Sequence, residues 1–412
     1  MGPDMSTKLY DVAVVGAGPV GSTLALGMSK LGLQTALIDG RDPTVAPAVD
    51  GRNFALVAGS QRLFAYLGLS DALEAFGQSL HGLEAVDGGS HLFGRPAVMF
   101  CDQDLESADP DESLGVMVQA EKLQAALDAA VSGATGLTRY APAQFVSLAA
   151  REGCVELLTH GSAAIKTRLV VGADGLRSAV RDALGIQTEG RDYGKSVFTA
   201  NVHLERPHQG IARQLFLPEG PFAILPLPGN RANLAWYMKR GAAEALSGCS
   251  KSEIERELND RLSDFAGRMT LEGHAGSYPL ILQVAQDLVA KRGVIVGDAA
   301  RRVNPLAGQG LNQGFRDVAA LIDCLEEAQR TGLDPGSDVV LSSFSERRRF
   351  DGLSTALALD SLDRLFSNDS MLTKPFRAAG LLVAQRFAPL RRFLARKASA
   401  TEDGVPGPMR GW

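Results

Sequence analysis

The segment Gly16-Ala17-Gly18-Pro19-Val-Gly21 follows directly on a short apolar run, Tyr10–Val15, and precedes a run of small and apolar residues, Ser22–Leu31. Strand, tight turn and helix in that order are what a doubly wound α/β sheet needs to hold a pyrophosphate. Gly16 lets the chain turn, Gly18 lets backbone approach a phosphate, and Gly21 permits close helix packing. The helix start supplies free N–H groups and a positive dipole end, so the phosphates need no basic side chain. A second strand, Gln34–Ile38, ends at Asp39. An acid at that point is placed to accept hydrogen bonds from an unphosphorylated adenosine ribose.

NAD, NADP and FAD all satisfy this first unit, and two later segments choose between them. Leu169–Gly175 reads as a buried strand that ends at Asp174 and leads into a helix start at Arg177–Arg181. Val294–Asp298 is another, with Gly297 and Asp298 at its tip, and Gly308-Gln309-Gly310-Leu311-Asn312 then opens a helix running toward Glu327. Asp174 and Asp298 are each read equally well as helix caps. Taken together, three strand-end sites suit one extended cofactor, FAD, with Asp298 on the ribityl hydroxyls and the last helix start facing the flavin ring.

These residues resemble the class A flavoprotein aromatic hydroxylases, and within them the ubiquinone-biosynthesis hydroxylases. The resemblance runs from about Asp11 to Lys397, and its branch-specific signs are Asp50–Leu56 and Asp360–Asp369. It implies that Arg52 approaches the flavin or its pyrophosphate, that Gln119 belongs to the cofactor site, and that Pro305, Gly308, Gly310, Leu311 and Asn312 wrap the ring through backbone groups. It further implies that NADPH or NADH docks transiently to reduce the flavin. Oxygen, activated at C4a of the reduced ring, is then delivered as a hydroxyl group to a polyprenylated phenol or quinol. Departures stand out at three positions. Glu121 occupies a position where the family carries an arginine, and Arg301 and Asn304 stand where relatives show histidines. These leave open a hydroxylase of a soluble phenolic compound, or a non-catalytic flavin-binding scaffold among other ubiquinone-biosynthesis proteins.

The expected architecture is mixed α/β: a Rossmann-like FAD-binding domain interleaved with an antiparallel-sheet substrate domain, followed by C-terminal helices. Cofactor pieces are assigned to residues 9–75, 117–185 and 286–330, and substrate-domain pieces to 76–116 and 186–285. Residues 331–412 form a helical region with a mobile tail after Thr401. Four strand-like runs, Val197–Leu204, Arg213–Leu217, Phe222–Leu227 and Ala232–Met238, are punctuated by Pro, Gly and Asn, as antiparallel neighbours are. They would roof a pocket walled by Phe216, Leu225, Pro226, Trp236 and Tyr237.

At 412 residues and 45% hydrophobic content the chain can bury a sizeable core. A net charge of -5 excludes a general nucleic-acid binder. Four dispersed cysteines and six scattered histidines offer no metal-ligand spacing, and no apolar run spans a bilayer. The expected location is the cytoplasm. Basic and apolar residues interleave from Phe376 to Lys397, a pattern suited to peripheral contact with the inner face of an anionic membrane.

Overall fold

The computed structural model describes residues 8–47, 51–88, 97–105, 107, 109, 111–161, 163–217, 219–302, 309–349 and 385–410. Three sheets organise it. The first is built on parallel strands, in the order Gly293–Ile295, Ile165–Gly172, Leu9–Val15, Thr35–Ile38 and Leu137–Tyr140. Its central strands read as unbroken apolar runs because helices cover one face and a second apolar layer covers the other. Helix Pro19–Lys30 packs on it beside the long helix Gln309–Thr331. The carboxyl ends of Leu9–Val15, Ile165–Gly172 and Gly293–Ile295 are therefore adjacent. All three glycine-bearing turns emerge at that one edge, where open α/β sheets bind ligands.

The second sheet has eight strands and includes Thr188–Leu204, Ile211–Leu217, Gly220–Leu227, Arg231–Lys239 and Met269–Ala285. Its strands are antiparallel neighbours except for one pair. Ile211–Leu217 runs parallel to Gly82–Asp87, two segments distant in sequence whose relative direction no hairpin imposes. One face packs on helix Lys251–Ala266 through Phe198, Phe222, Leu234, Trp236, Ile254 and Leu258. That helix starts with a full capping box, Ser250 and Glu253 satisfying each other's backbone N–H. A small third sheet, Asn53–Val57, Gly115–Gln119 and Gln78–Leu80, lies between the two larger ones.

The C-terminal tail departs from the sequence expectation of mobility. Ala400, Val405, Pro408 and Met409 are buried. Gly59 N–H donates to the Ser399 carbonyl at 2.8 Å and Gly407 N–H to Asp323 Oδ2 at 2.9 Å. Glycine and proline content suggested a free end; the few apolar residues among them are enough to seat it on helices Ala58–Tyr66 and Gln309–Thr331. The Asp360–Asp369 stretch and the first part of the basic C-terminal segment, 376–384, lie outside the described residues.

Candidate functional site

The nucleotide turn shows why its glycines sit where they do. Gly16 has φ +101°, and a Cβ there would meet the Ala173 carbonyl oxygen at 2.4 Å. A Cβ on Gly21 would stand 1.8 Å from the Gly16 oxygen, so helix and turn touch backbone to backbone. Gly18 is different: a Cβ there would meet nothing within 4 Å, so the space beyond it is open. The helix begins with no side-chain cap, with Pro19 in its first turn. Gly18, Val20 and Gly21 N–H have no acceptor among the described residues, which leaves three donors at a positive dipole end. These features fit a pyrophosphate. Behind the loop the Ala17 carbonyl accepts from Ser22 Oγ at 3.0 Å and Gln124 Nε2 at 2.9 Å.

Asp39 ends the second strand as expected, and its carboxylate also shapes the loop. Oδ2 accepts from Ala17 N–H at 2.6 Å and Oδ1 from Arg41 N–H at 2.7 Å. Each oxygen keeps a lone pair for a ribose hydroxyl. Asp174 takes the capping alternative: Oδ1 accepts from Ser178 Oγ at 2.5 Å and Oδ2 from Val180 N–H at 3.1 Å, closing the turn before helix Ala179–Ala183.

Asp298 is the acid most exposed to the site. Its side chain reaches solvent yet stands deep among surrounding atoms. That burial raises its carboxyl above the ordinary carboxylate range, while Arg302 and Arg52 pull the other way. Deep placement with open access is the signature of a recess. Gly297 N–H donates to Asp317 Oδ2 at 3.0 Å, and Asp317 Oδ1 accepts from Arg301 Nη1 at 3.0 Å and Arg348 Nε at 2.7 Å. Asp317 and Arg348 are 0% and 1% exposed. Arg301 is thus a buried strut beneath the Gly297 turn, held by Asp317, rather than a lost member of the site.

Asn312 likewise acts through its side chain. It is buried; Oδ1 accepts from Val57 N–H at 3.1 Å and Ser60 Oγ at 2.8 Å, and Nδ2 donates to the Ala55 carbonyl at 2.7 Å. The amide therefore clamps strand Asn53–Val57 against the start of helix Gln309–Thr331 and fixes where Arg52 emerges. Arg52 is exposed, and its carbonyl accepts from Ala120 N–H at 3.0 Å. Gln119 pairs with Asn53 across the small sheet and precedes helix Ala120–Gly133. Glu121 sits in that helix's first turn, where an acid complements the dipole. Its Oε2 is nevertheless buried without a hydrogen-bond partner. Gln309, Gly310 and Leu311 open the long helix, Leu311 packing on the main core. Pro305, Gly308 and Asn304 lie outside the described residues.

Of the expected pocket walls, strand register separates two groups. Phe216, Leu225 and Tyr237 lie on the face of the large sheet that bears Asn201 and Asn233 and meets the small sheet. Trp236 and Pro226 lie on the opposite face, which is a correction to the sequence reading. Trp236 is buried edge-on against Phe222 with their ring centroids 5.6 Å apart, and the Arg261 guanidinium lies 5.4 Å from its ring. Alternation along a strand decides this, and consecutive residues such as Trp236 and Tyr237 cannot both face one pocket. Sequence reasoning missed Asn53, Asn201, Ser60, Gln124 and Arg348. Lone polar residues in strand-like or helical runs carry no local signal of the distant partners they meet.

No cluster of metal ligands occurs among the described residues, and no helix among them is long and apolar enough to cross a membrane. Bound FAD would be held by the Gly16–Gly21 turn, Asp39, Arg52 and the Gly297–Asp298 turn, and would supply the oxygen-activating chemistry. The chain's own residues would offer it free N–H donors at the Gly16–Gly21 turn and a rigid base beneath Gly297.

The comparisons agree with that geometry. Residues 9–350 match the family model described as an FAD binding domain. Over 405 residues the chain is 38% identical to the ubiquinone hydroxylase UbiL of Rhodospirillum rubrum, covering 98% of this chain and 92% of that protein. It is 32% identical to the 3-demethoxyubiquinol 3-hydroxylase of Escherichia coli, covering 94% and 98%. Among solved structures, p-nitrophenol 4-monooxygenase PnpA from Pseudomonas putida superposes with a TM-score of 0.77 at 19% identity, covering 94% of this chain and 98% of that one, which speaks to the fold. With three strand-end turns converging as FAD requires, the chain belongs to the FAD-binding family of class A flavoprotein aromatic hydroxylases, among the ubiquinone hydroxylases.

Proposed function

We propose that this protein is an FAD-dependent monooxygenase that hydroxylates the aromatic ring of a polyprenylated phenol or quinol intermediate in ubiquinone biosynthesis, with NADH or NADPH as reductant and O2 as the oxygen source. The observation that carries the reading is similarity to ubiquinone hydroxylases over nearly the whole chain, joined to a turn with three N–H donors unspent among the described residues and an open space at Gly18. Cofactor contacts are assigned to Gly16, Ala17, Gly18, Gly21, Asp39, Arg52, Gln119, Gly297 and Asp298. Phe216, Leu225 and Tyr237 are the pocket walls. The flavoprotein incubated with NAD(P)H and a short-chain prenylphenol should yield a product carrying one added oxygen atom by mass spectrometry. Reductant oxidation with only hydrogen peroxide as product, across a panel of prenylated phenols, would refute the assignment.

The substrate class brings the enzyme to a bilayer surface. In helix Ala388–Ala398 and the residue before it, Phe387 and Phe393 are 57% and 62% exposed and Leu394 is also exposed. Arg386, Arg392 and Lys397 are exposed alongside them; Arg391 pairs with Asp104 at 2.9 Å and Arg396 with Asp403 at 3.2 Å. Exposed aromatics flanked by cations suit an anionic membrane. Replacing Phe387 and Phe393 by serine should reduce cosedimentation with phosphatidylglycerol vesicles several-fold without unfolding the chain. Undiminished binding would remove this helix from the membrane contact.

A further inference from the structure

We propose that Asn53, Asn201 and Asn233 form the element that reads a hydroxyl substituent on the substrate ring, an inference that rests on the ring-hydroxylase reading above. The Gly51 carbonyl can only accept, so the Asn53 atom facing it at 2.9 Å is the amide nitrogen. That Nδ2 also donates to Asn201 Oδ1 at 3.1 Å. From the other side Asn233 Nδ2 donates to the same oxygen at 2.9 Å, and to Thr199 Oγ1 at 3.1 Å. The orientation of all three amides follows from the one carbonyl.

The ladder has a definite remainder. Both amide nitrogens of Asn53 and Asn233 are spent, and Asn201 Oδ1 accepts twice. What is left is one donor group, Asn201 Nδ2, and two acceptors, Asn53 Oδ1 and Asn233 Oδ1, without partners among the described residues. Asn53 Oδ1 is buried and accepts from nothing among the described residues, and Asn233 is only 5% exposed. A buried acceptor without a donor has given up its hydration for nothing in return and calls for an explanation.

Its location supplies one. Asn233 lies directly across from Leu225, and Asn201 across from Asn233, on the face shared with Ala235 and Tyr237. This is a polar spot on a mainly apolar wall, the usual composition of a pocket that orients a small aromatic molecule. Asn53 adjoins Arg52, whose charge is felt at Asp298, so the ladder stands where the substrate sheet meets the cofactor side. A phenolic hydroxyl is complementary to the remainder: it donates to an asparagine oxygen and accepts from Asn201 Nδ2. A methyl ether has no proton to give and leaves the acceptor unpaired.

The test uses holoenzyme and follows the flavin absorbance as it is titrated with a short-chain prenylphenol and with the corresponding methyl ether. Wild-type protein should bind the phenol about tenfold or more tightly than the ether, because a site built to hydrogen-bond a hydroxyl rejects the analogue lacking it. Asn201→Leu should bind both ligands equally while keeping its FAD affinity. Asn53→Ala, which removes the unpaired acceptor outright, gives the same readout should the leucine variant fail to fold. A preference that survives both substitutions, with only the thermal midpoint lowered, would make the ladder a plain staple between sheets and overturn the proposal, as would wild-type protein that does not distinguish the ligands. The binding ratio needs no turnover, so absence of hydroxylated product would count against the proposed reaction separately.

Discussion

Single side chains in this protein are committed to geometry at a distance. Asp317 ties the Gly297 turn to two buried guanidiniums, Arg301 and Arg348. Removing its charge leaves both cations buried with less compensation, so Asp317→Asn should cost about 3–5 kcal/mol in urea denaturation. Weaker FAD retention should accompany that loss. Tyr140 offers a spectroscopic check on the other side of the sheet. Burial and its 2.8 Å hydrogen bond to Tyr10 push its phenol up to about 12 from an ordinary value of 10. The folded chain holds this proton while the unfolded chain releases it, so the contribution is intact below pH 10 and fades as pH rises from about 10 to about 12. Ultraviolet titration should show the Tyr140 phenol ionising late, and Tyr10→Phe should bring it earlier.

At the level of elements, the two glycines flanking Pro19 separate folding from binding. A methyl at Gly21 has nowhere to go, being 1.8 Å from the Gly16 oxygen. Gly21→Ala should therefore force the helix off the turn, with stability lost by about 1–3 kcal/mol and FAD affinity lost with it. A methyl at Gly18 meets no atom of the chain, and φ there is -69°, a value any residue adopts. Gly18→Ala should leave the unfolding free energy of the cofactor-free protein within about 0.5 kcal/mol. It should still weaken FAD binding about tenfold or more, because the methyl enters the space a phosphate needs. Equal FAD affinity in Gly18→Ala and wild-type protein, by flavin fluorescence titration, would place the pyrophosphate elsewhere.

Across the whole molecule, the last residues close a loop of dependence. The tail from Ser399 to Arg410 sits on helix Ala58–Tyr66 and on helix Gln309–Thr331. Asn312, at the start of the latter, holds the strand that carries Arg52. Deleting residues 400–412 removes the buried Ala400, Val405 and Met409 and uncovers the apolar surface of the two helices beneath them, a loss of buried apolar surface worth roughly 3 kcal/mol or more. Calorimetry of the truncated protein should show a lower Tm, and FAD should dissociate more readily, though no tail residue belongs to the expected cofactor set. An unchanged Tm would mean the tail is an ornament.

Much of this was legible from sequence because it rests on local rules. Strand, glycine turn and helix must be contiguous to cradle a phosphate, so residues 10–39 announce themselves, as do the turns at Asp174 and Asp298. Other features depend on partners that only folding brings together and leave no local trace. Asn312 and Asn53 are ordinary asparagines until folding brings Ser60 and Asn201 to them. Arg301 is a departure from a pattern until Asp317 and Arg348 surround it. Trp236 and Tyr237 are adjacent aromatics until the pleat sends them to opposite faces. Sequence by itself determined the α/β cofactor fold and the order of its three glycine-bearing turns, since those need only neighbouring residues. Tertiary structure alone decided which polar groups share a sheet face and which are struts, because hydrogen bonds and burial are set by atoms that meet in space.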